Sequence, residues 1–213
     1  MNKKERTQAV LAYFQETMGK TTTELEFGSV FQLLVATVLS AQCTDKRINQ
    51  VTPELFRHYP DAQSMSKAEV DDILQLIKSV SYPNSKALHL SQMSKMLVSD
   101  FNGEVPSEMK ELTKLPGVGR KTANVVQAVG FGMSAIAVDT HVFRVSHRLG
   151  LVSSRAKTPE KVEAELKKAI PKDLWADAHH WLLLHGRYVC KSRMPDCGKC
   201  PFTEYCPKES LLK

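Results

Sequence analysis

Leu115-Pro116-Gly117-Val118-Gly119-Arg120-Lys121-Thr122-Ala123 decides how the rest of the chain is read. Pro116 presets its own φ, and the two glycines admit backbone conformations that a Cβ forbids. The stretch is therefore a tight turn with one apolar residue, Val118, between glycines. Arg120 to Val129 follows as a helix with Ala123 and Val126 on one face. A glycine turn that opens a helix leaves backbone N–H groups free at the positive end of the helix dipole, which seats a phosphate. Lys121 falls in the first turn of this helix. The dipole and neighbouring Arg120 disfavour an ammonium there, and an amine that is partly neutral is a usable nucleophile. On these residues alone Lys121 reads first as one more phosphate-binding lysine, the commoner case for a basic residue near backbone phosphates.

Downstream, Ser134-Ala135-Ile136-Ala137-Val138 is a short apolar run. Asp139-Thr140 then caps a helix carrying Val142, Phe143, Val145 and Leu149. By itself Asp139 is an ordinary N-cap. Pro116 to Lys121 resembles the hairpin of helix-hairpin-helix DNA-binding proteins. Taken with Val138-Asp139-Thr140-His141-Val142 and Arg144, with Asp139 eighteen residues beyond Lys121, the pattern closely resembles the endonuclease III family of DNA glycosylases and abasic-site lyases. The resemblance implies that Lys121 is the Schiff-base lysine and Asp139 the catalytic carboxylate. It also implies that Arg120, Arg144 and the amides of Gly117 and Gly119 hold phosphates. Double-stranded DNA with a damaged base or an abasic site is the implied partner, with oxidised pyrimidines as substrates. Adenine-mismatch relatives lack a lysine at this position, and oxoguanine relatives lack a cysteine loop.

Working outward, residues 1–20 place Val10, Leu11, Phe14 and Met18 at helical spacing. Val30, Leu33, Leu34, Thr37, Val38 and Ala41 follow the same rule, and Phe31, Val35 and Leu39 cover the remaining sides. A helix apolar nearly all round belongs in the centre of a domain. It ends at Ser40-Ala41-Gln42-Cys43-Thr44-Asp45, where Gln42 fits a solvated helix end as well as a role. This string resembles the family motif whose glutamine enters the space left by an extruded base. Thr52-Pro53-Glu54 reads as a helix start, as does Ser66-Lys67-Ala68-Glu69, a capping box. Ser81-Tyr82-Pro83-Asn84 breaks the second of these. Here the chain departs from the family pattern of glycine, apolar residue and aromatic before Asn-x-Lys. Tyr82 stands where the family has its apolar wedge, and a flat aromatic can stack in that place or simply pack. Lys86–Phe101 is helical, Ser107 caps a short helix over Glu108–Lys114, Thr158-Pro159-Glu160 opens another, and Leu174–Tyr188 is the last.

Five cysteines are present, and four fall in the final 24 residues. Cys190, Cys197, Cys200 and Cys206 give C-x6-C-x2-C-x5-C. Only Cys197 and Cys200 form the short arm typical of zinc sites, so zinc fits less well, and ferredoxin spacing differs too. The spacing resembles the [4Fe–4S] loop of the endonuclease III family. Its role is expected to be structural, since the segment has few apolar side chains and all four ligand positions are protein. Lys191 and Arg193 lie on the loop between the first two ligands and read as a second phosphate contact or as a solvated loop. Cys43 reads as packing.

The chain of 213 residues has a net charge of +6 and 42% hydrophobic residues, with a pI near 9.0. The charge favours a polyanionic partner without specifying one. No apolar h-region follows the N-terminal Met1–Arg6, and the uncharged Phe27–Thr44 stretch is too polar for a membrane span, so a cytoplasmic monomer is expected, nucleoid-associated if bacterial. With Ser134–Val138 as the best of weak strand candidates, the fold class is all-α. The family implies two helical lobes gripping DNA between them. One is a six-helix lobe over 22–133, and the other joins 1–21 to 134–213. A non-catalytic DNA-binding module and a glycosylase without strand scission remain the alternatives.

Overall fold

The computed structural model describes residues 1–207. The 208–213 end of the expected cysteine lobe lies outside the described residues. Eleven α-helices run in chain order among the described residues: α1 Lys3–Thr17, α2 Val30–Leu39, α3 Asp45–His58, α4 Ala62–Ser66, α5 Val70–Ile77, α6 Pro83–Phe101, α7 Met109–Leu112, α8 Arg120–Val125, α9 Thr140–Arg148, α10 Pro159–Ala169 and α11 Trp175–Tyr188. No strand occurs among the described residues, and Ser134–Val138 carries no regular structure. The fold is all-α. Two compact units divide the chain, a hairpin unit of Glu24–Gly132 and a cysteine unit of Met1–Thr23 with Met133–Lys213.

The hairpin unit is built on α2. Leu33, Leu34, Val35, Ala36 and Leu39 are all fully buried, as a helix without a polar face must be. Ser29 starts it, its side chain accepting the Gln32 N–H. Ile48 and Leu55 of α3, Met65 of α4, Ile73 and Ile77 of α5, and Leu90, Met93 and Leu97 of α6 complete the core. Each such side chain contributes roughly 1.5–3 kcal/mol on leaving water.

Three helix starts differ from the sequence reading. Thr52-Pro53-Glu54 lies inside α3, which Thr44 caps through the Arg47 N–H. Pro53 removes one helical hydrogen bond, but Ile48, Val51 and Leu55 hold the helix to the core on both sides of it. Ser66 ends α4 instead of opening a helix, because Asp61 and Ser64 form the capping box one turn earlier. α5 then begins after Glu69 with no side-chain cap. α7 likewise starts after Glu108 without the Ser107 cap.

In the cysteine unit α1 lays Val10, Leu11 and Phe14 against Val142, Val145 and Leu149 of α9, Val162 and Leu166 of α10, and Trp181 and Leu182 of α11. Asn2 and Glu5 form a capping box on α1. Trp181 donates its indole N–H to the Gly19 carbonyl at 2.9 Å, so its one polar atom is satisfied where the ring is buried. Thr158 caps α10, with Pro159 in the first helical position as the sequence indicates.

Candidate nucleic-acid interface

Leu115 and Val118 point into the core of the hairpin unit, 2% and 6% exposed. They anchor the turn, which closes with the Val118 N–H on the Leu115 carbonyl at 3.0 Å. The two glycines serve different ends. Gly117 has φ +80, and a Cβ there would meet the His89 side chain at 3.1 Å. Gly119 has φ −91 and is the N-cap of α8, with no side chain capping it. A Cβ on Gly119 would touch nothing within 4 Å. Gly117 is thus required by the turn, whereas at Gly119 the missing side chain leaves open space in front of the first amides of α8. That is the geometry a phosphate needs for close approach to backbone N–H groups. Arg120 and Lys121 are both exposed on this first turn.

After Val125 the helix widens into one π turn, Val126–Gly130. Sequence periodicity gave no sign of it. Gln127 within the turn donates Nε2–H to the Ser107 carbonyl at 2.8 Å. Gly130 packs so tightly on α2 that a Cβ would lie 3.1 Å from both Val30 and Leu33. π turns of this kind recur near functional sites.

Gln42 and Tyr82 share an unusual backbone. Both lie in the left-handed region, φ 56 and φ 55, which disfavours residues other than glycine. Both are exposed, Tyr82 to 64%. The Ser81 hydroxyl donates to the Gln42 carbonyl at 2.7 Å, which joins the two turns. Lys86, read from sequence as a helix start and as the lysine of the Asn-x-Lys pattern, is buried and donates its ammonium to the carbonyls of Leu39 and Ala41 at 2.8 and 2.7 Å. Burial pushes its pKa down, partly offset by the Cys43 thiol.

In the cysteine unit Asp139 is the N-cap of α9, accepting the Val142 N–H on Oδ1 at 2.7 Å. Lys121 and Asp139 therefore belong to different units. Arg144 turns inward. Its Nε and Nη2 donate to the Cys190 carbonyl, each at 3.1 Å, and Nη2 also to the Gly186 carbonyl at 2.7 Å. It braces the end of α11 with donors that a phosphate would otherwise take. Lys191 and Arg193 are exposed. Their loop is held by Arg148, whose guanidinium donates to the Lys191 and Ser192 carbonyls at 2.6 and 3.1 Å. Arg148 carries no sequence signal, since its partners are carbonyls more than forty residues away.

The four clustered cysteines and Cys43 are free thiols. Arg148 Nη1 lies 3.6 Å from the Cys190 Sγ, and His185 Nε2 lies 3.7 Å from the Cys200 Sγ. Thr203 Oγ1 donates to the Cys197 carbonyl at 2.6 Å and the Cys200 carbonyl at 2.9 Å. Burial raises the pKa of Cys200, and Cys190 and Cys197 raise it further. Burial and the other three cysteines push Cys206 up to about 11. Among the described residues no group of three or more His, Cys, Asp or Glu converges on one point. Four thiols as a donor set suit a thiophilic centre. Phe202, fully buried against Phe14 and Tyr13 at centroid distances of 5.1 and 5.3 Å, gives the loop an apolar anchor as well.

The chain belongs to the HhH-GPD superfamily, whose profile, described as HhH-GPD superfamily base excision DNA repair protein, matches residues 35–172. Within it the chain is a member of the endonuclease III family. It is 47% identical to endonuclease III of Rickettsia felis over 197 residues, 92% of each chain. It is 43% identical to that of Escherichia coli over 206 residues, 97% of this chain and 96% of the other. A solved structure of a trapped endonuclease III–DNA covalent intermediate, an estranged-adenine complex, superposes with a TM-score of 0.93 at 41% identity, covering 100% of both chains. The protein is an enzyme of base excision DNA repair. Among the described residues no helix is long and apolar enough to cross a membrane.

Proposed function

We propose that the protein is a bifunctional DNA glycosylase that removes oxidised pyrimidines and cleaves the resulting abasic site, with Lys121 as nucleophile. The observation that carries this is the exposed amine of Lys121 in the first turn of α8, directly after the open amides at Gly119. A phosphate seated on those amides brings the adjoining sugar toward the amine. The damaged nucleotide leaves the stack so that C1′ can be reached. Gln42 and Tyr82 fill the vacated space. The Lys121 amine attacks C1′ through its nitrogen lone pair, the glycosidic C–N bond breaks, and the base departs with a proton released from that nitrogen. Ring opening gives an iminium, which acidifies the 2′ position. Loss of a 2′ proton then expels the 3′ phosphate, and water returns the free lysine. Asp139 assists proton transfer and stabilises positive charge.

Cys190, Cys197, Cys200 and Cys206 would hold a [4Fe–4S] cluster. When bound, it would supply a structural clip for the C-terminal loop. Lys191 and Arg193 then form a second phosphate contact. Arg120 holds phosphate beside the hairpin, and Arg144 acts by bracing α9 against the cluster loop. A monomer in the cytoplasm completes the reading.

Borohydride reduction during incubation with abasic duplex DNA tests it. Wild-type protein is expected to give a covalent adduct and a strand break without heat or alkali. Lys121→Ala is expected to give no adduct and a cleavage rate lower by at least ~10³-fold. Strand scission at wild-type rate by Lys121→Ala would remove the assignment. On a duplex that carries an oxidised pyrimidine, base release without scission by the wild-type protein would leave a monofunctional glycosylase.

A further inference from the structure

We propose that Lys86 is a positioning residue that locks the Gln42 loop and the Tyr82 turn into a single two-pronged element, so that both side chains enter the DNA stack together. The proposal rests on the reading that Gln42 and Tyr82 occupy the space left by the extruded nucleotide.

Lys86 touches both turns. Its ammonium donates to the Leu39 and Ala41 carbonyls at 2.8 and 2.7 Å, the second of these immediately before Gln42. Its backbone N–H donates to the Tyr82 carbonyl at 3.2 Å. The ring closes where the Ser81 hydroxyl donates to the Gln42 carbonyl at 2.7 Å. Gln42 and Tyr82 are therefore each held from two sides, and both sit in the left-handed backbone region. Such a conformation persists in non-glycine residues only where surrounding contacts over-determine it. The ring supplies those contacts.

Lys86 is only 5% exposed. A buried ammonium pays desolvation, and methionine would fill a similar volume without that penalty. What methionine lacks is the donor. Leu39 is the last residue of α2, so its carbonyl and that of Ala41 lie at the negative end of a helix whose ladder has run out. An ammonium satisfies both carbonyls and attracts the dipole. It also comes from the first turn of α6, whose N-cap is Tyr82. The same side chain thus fixes the distance between the end of one helix and the start of another, and the two exposed residues stand at those ends.

A merely structural lysine would matter equally for every substrate. A positioning lysine matters where space must be filled. The test compares two abasic duplexes, one with a nucleotide opposite the site and one with a single-nucleotide gap there, under single-turnover conditions. Lys86→Met is expected to lose ~10-fold on the first and less than ~2-fold on the second, the loss of one net hydrogen-bond energy. Lys86→Arg is expected to recover part of the difference. Ser81→Ala, which keeps the lysine and opens the ring at one bond, is expected to shift the ratio in the same direction by a smaller factor. It decides the matter if Lys86→Met fails to fold. Equal losses on the two substrates, or no loss on either, would overturn the proposal. Gln42→Ala and Tyr82→Ala separate it from the reading beneath. If they lose selectively on the opposed substrate and Lys86→Met and Ser81→Ala do not, Lys86 alone falls. If neither loses selectively, the stack-filling role falls, and the lysine proposal with it.

Discussion

The hairpin at 115–119, with Arg120 and Lys121 exposed directly after it, and the loop at 190–206, with Lys191 and Arg193 exposed on it, are both short and irregular, yet they keep their shapes by different means. The hairpin hangs on two buried apolar residues, Leu115 and Val118, and on one glycine in the left-handed region. The cysteine loop hangs on carbonyls gripped by Arg144 and Arg148, on one buried phenylalanine, and on four clustered thiols, of which burial raises the pKa of Cys200 and Cys206. Ordinary packing completes the first. On the proposed reading, the second is completed by the group that its thiols bind. On that same reading, chemistry can be removed from the hairpin without loss of shape, whereas removal of a cysteine from the loop removes a support.

The largest expected effect tests that support. Cys200→Ser changes volume little, so a loop held by packing alone would keep its melting temperature. A clip-dependent loop is expected to lose iron and acid-labile sulfide and to melt ~10 °C lower. Unchanged iron content with an unchanged melting temperature would erase the contrast. Next comes Gly117→Ala, which forces a Cβ into φ +80 and toward His89 at 3.1 Å. It is expected to cost about 2 kcal/mol and ~5 °C, read by thermal denaturation. Gly119→Ala sharpens the point from the other side. Its φ of −91 suits any residue and its Cβ meets nothing, so stability is expected to change by less than about 0.5 kcal/mol. Binding to abasic DNA is expected to weaken ~10-fold, because the methyl fills the phosphate approach. Equal stability losses for the two glycines would refute their separate roles.

The smallest effect concerns pH. His180 in the cysteine unit is buried, its Nδ1 against the Ala176 carbonyl at 2.9 Å. Burial lowers its pKa. The unfolded chain then binds this proton more readily than the folded one, so the stabilisation is complete above the ordinary histidine range and fades as pH falls through it. Melting temperatures measured from about pH 8 to about pH 5 should decline, and His180→Gln should flatten the decline. A steeper decline in the variant would reverse the sign.

How far the sequence could be read follows the same divide. α2 was legible because its apolar residues cover every side, and the Asp139 and Thr158 caps because local chemistry decides them. Ser66 and Ser107 misled because a cap competes with its neighbours, and Asp61 with Ser64 won one turn earlier. The hairpin was legible since glycine requirements are local. The brace of Arg144, the grip of Arg148 and the ring closed by Lys86 were not. Each is a long side chain reaching backbone carbonyls far along the chain, and carbonyls leave no mark in a sequence. The π turn after α8 was invisible for a related reason, as one widened turn shifts too few residues to alter a period.

Phe14 lies against Phe202 at 5.1 Å, so α1 closes its core with a residue that comes after the whole of Glu24–Gly132. During synthesis, Glu24–Gly132 can emerge and condense while α1 still waits for a partner. The unit that carries the thiols is thereby closed only after Glu24–Gly132 has been made, because Phe202 and the four clustered cysteines all follow that stretch in the chain.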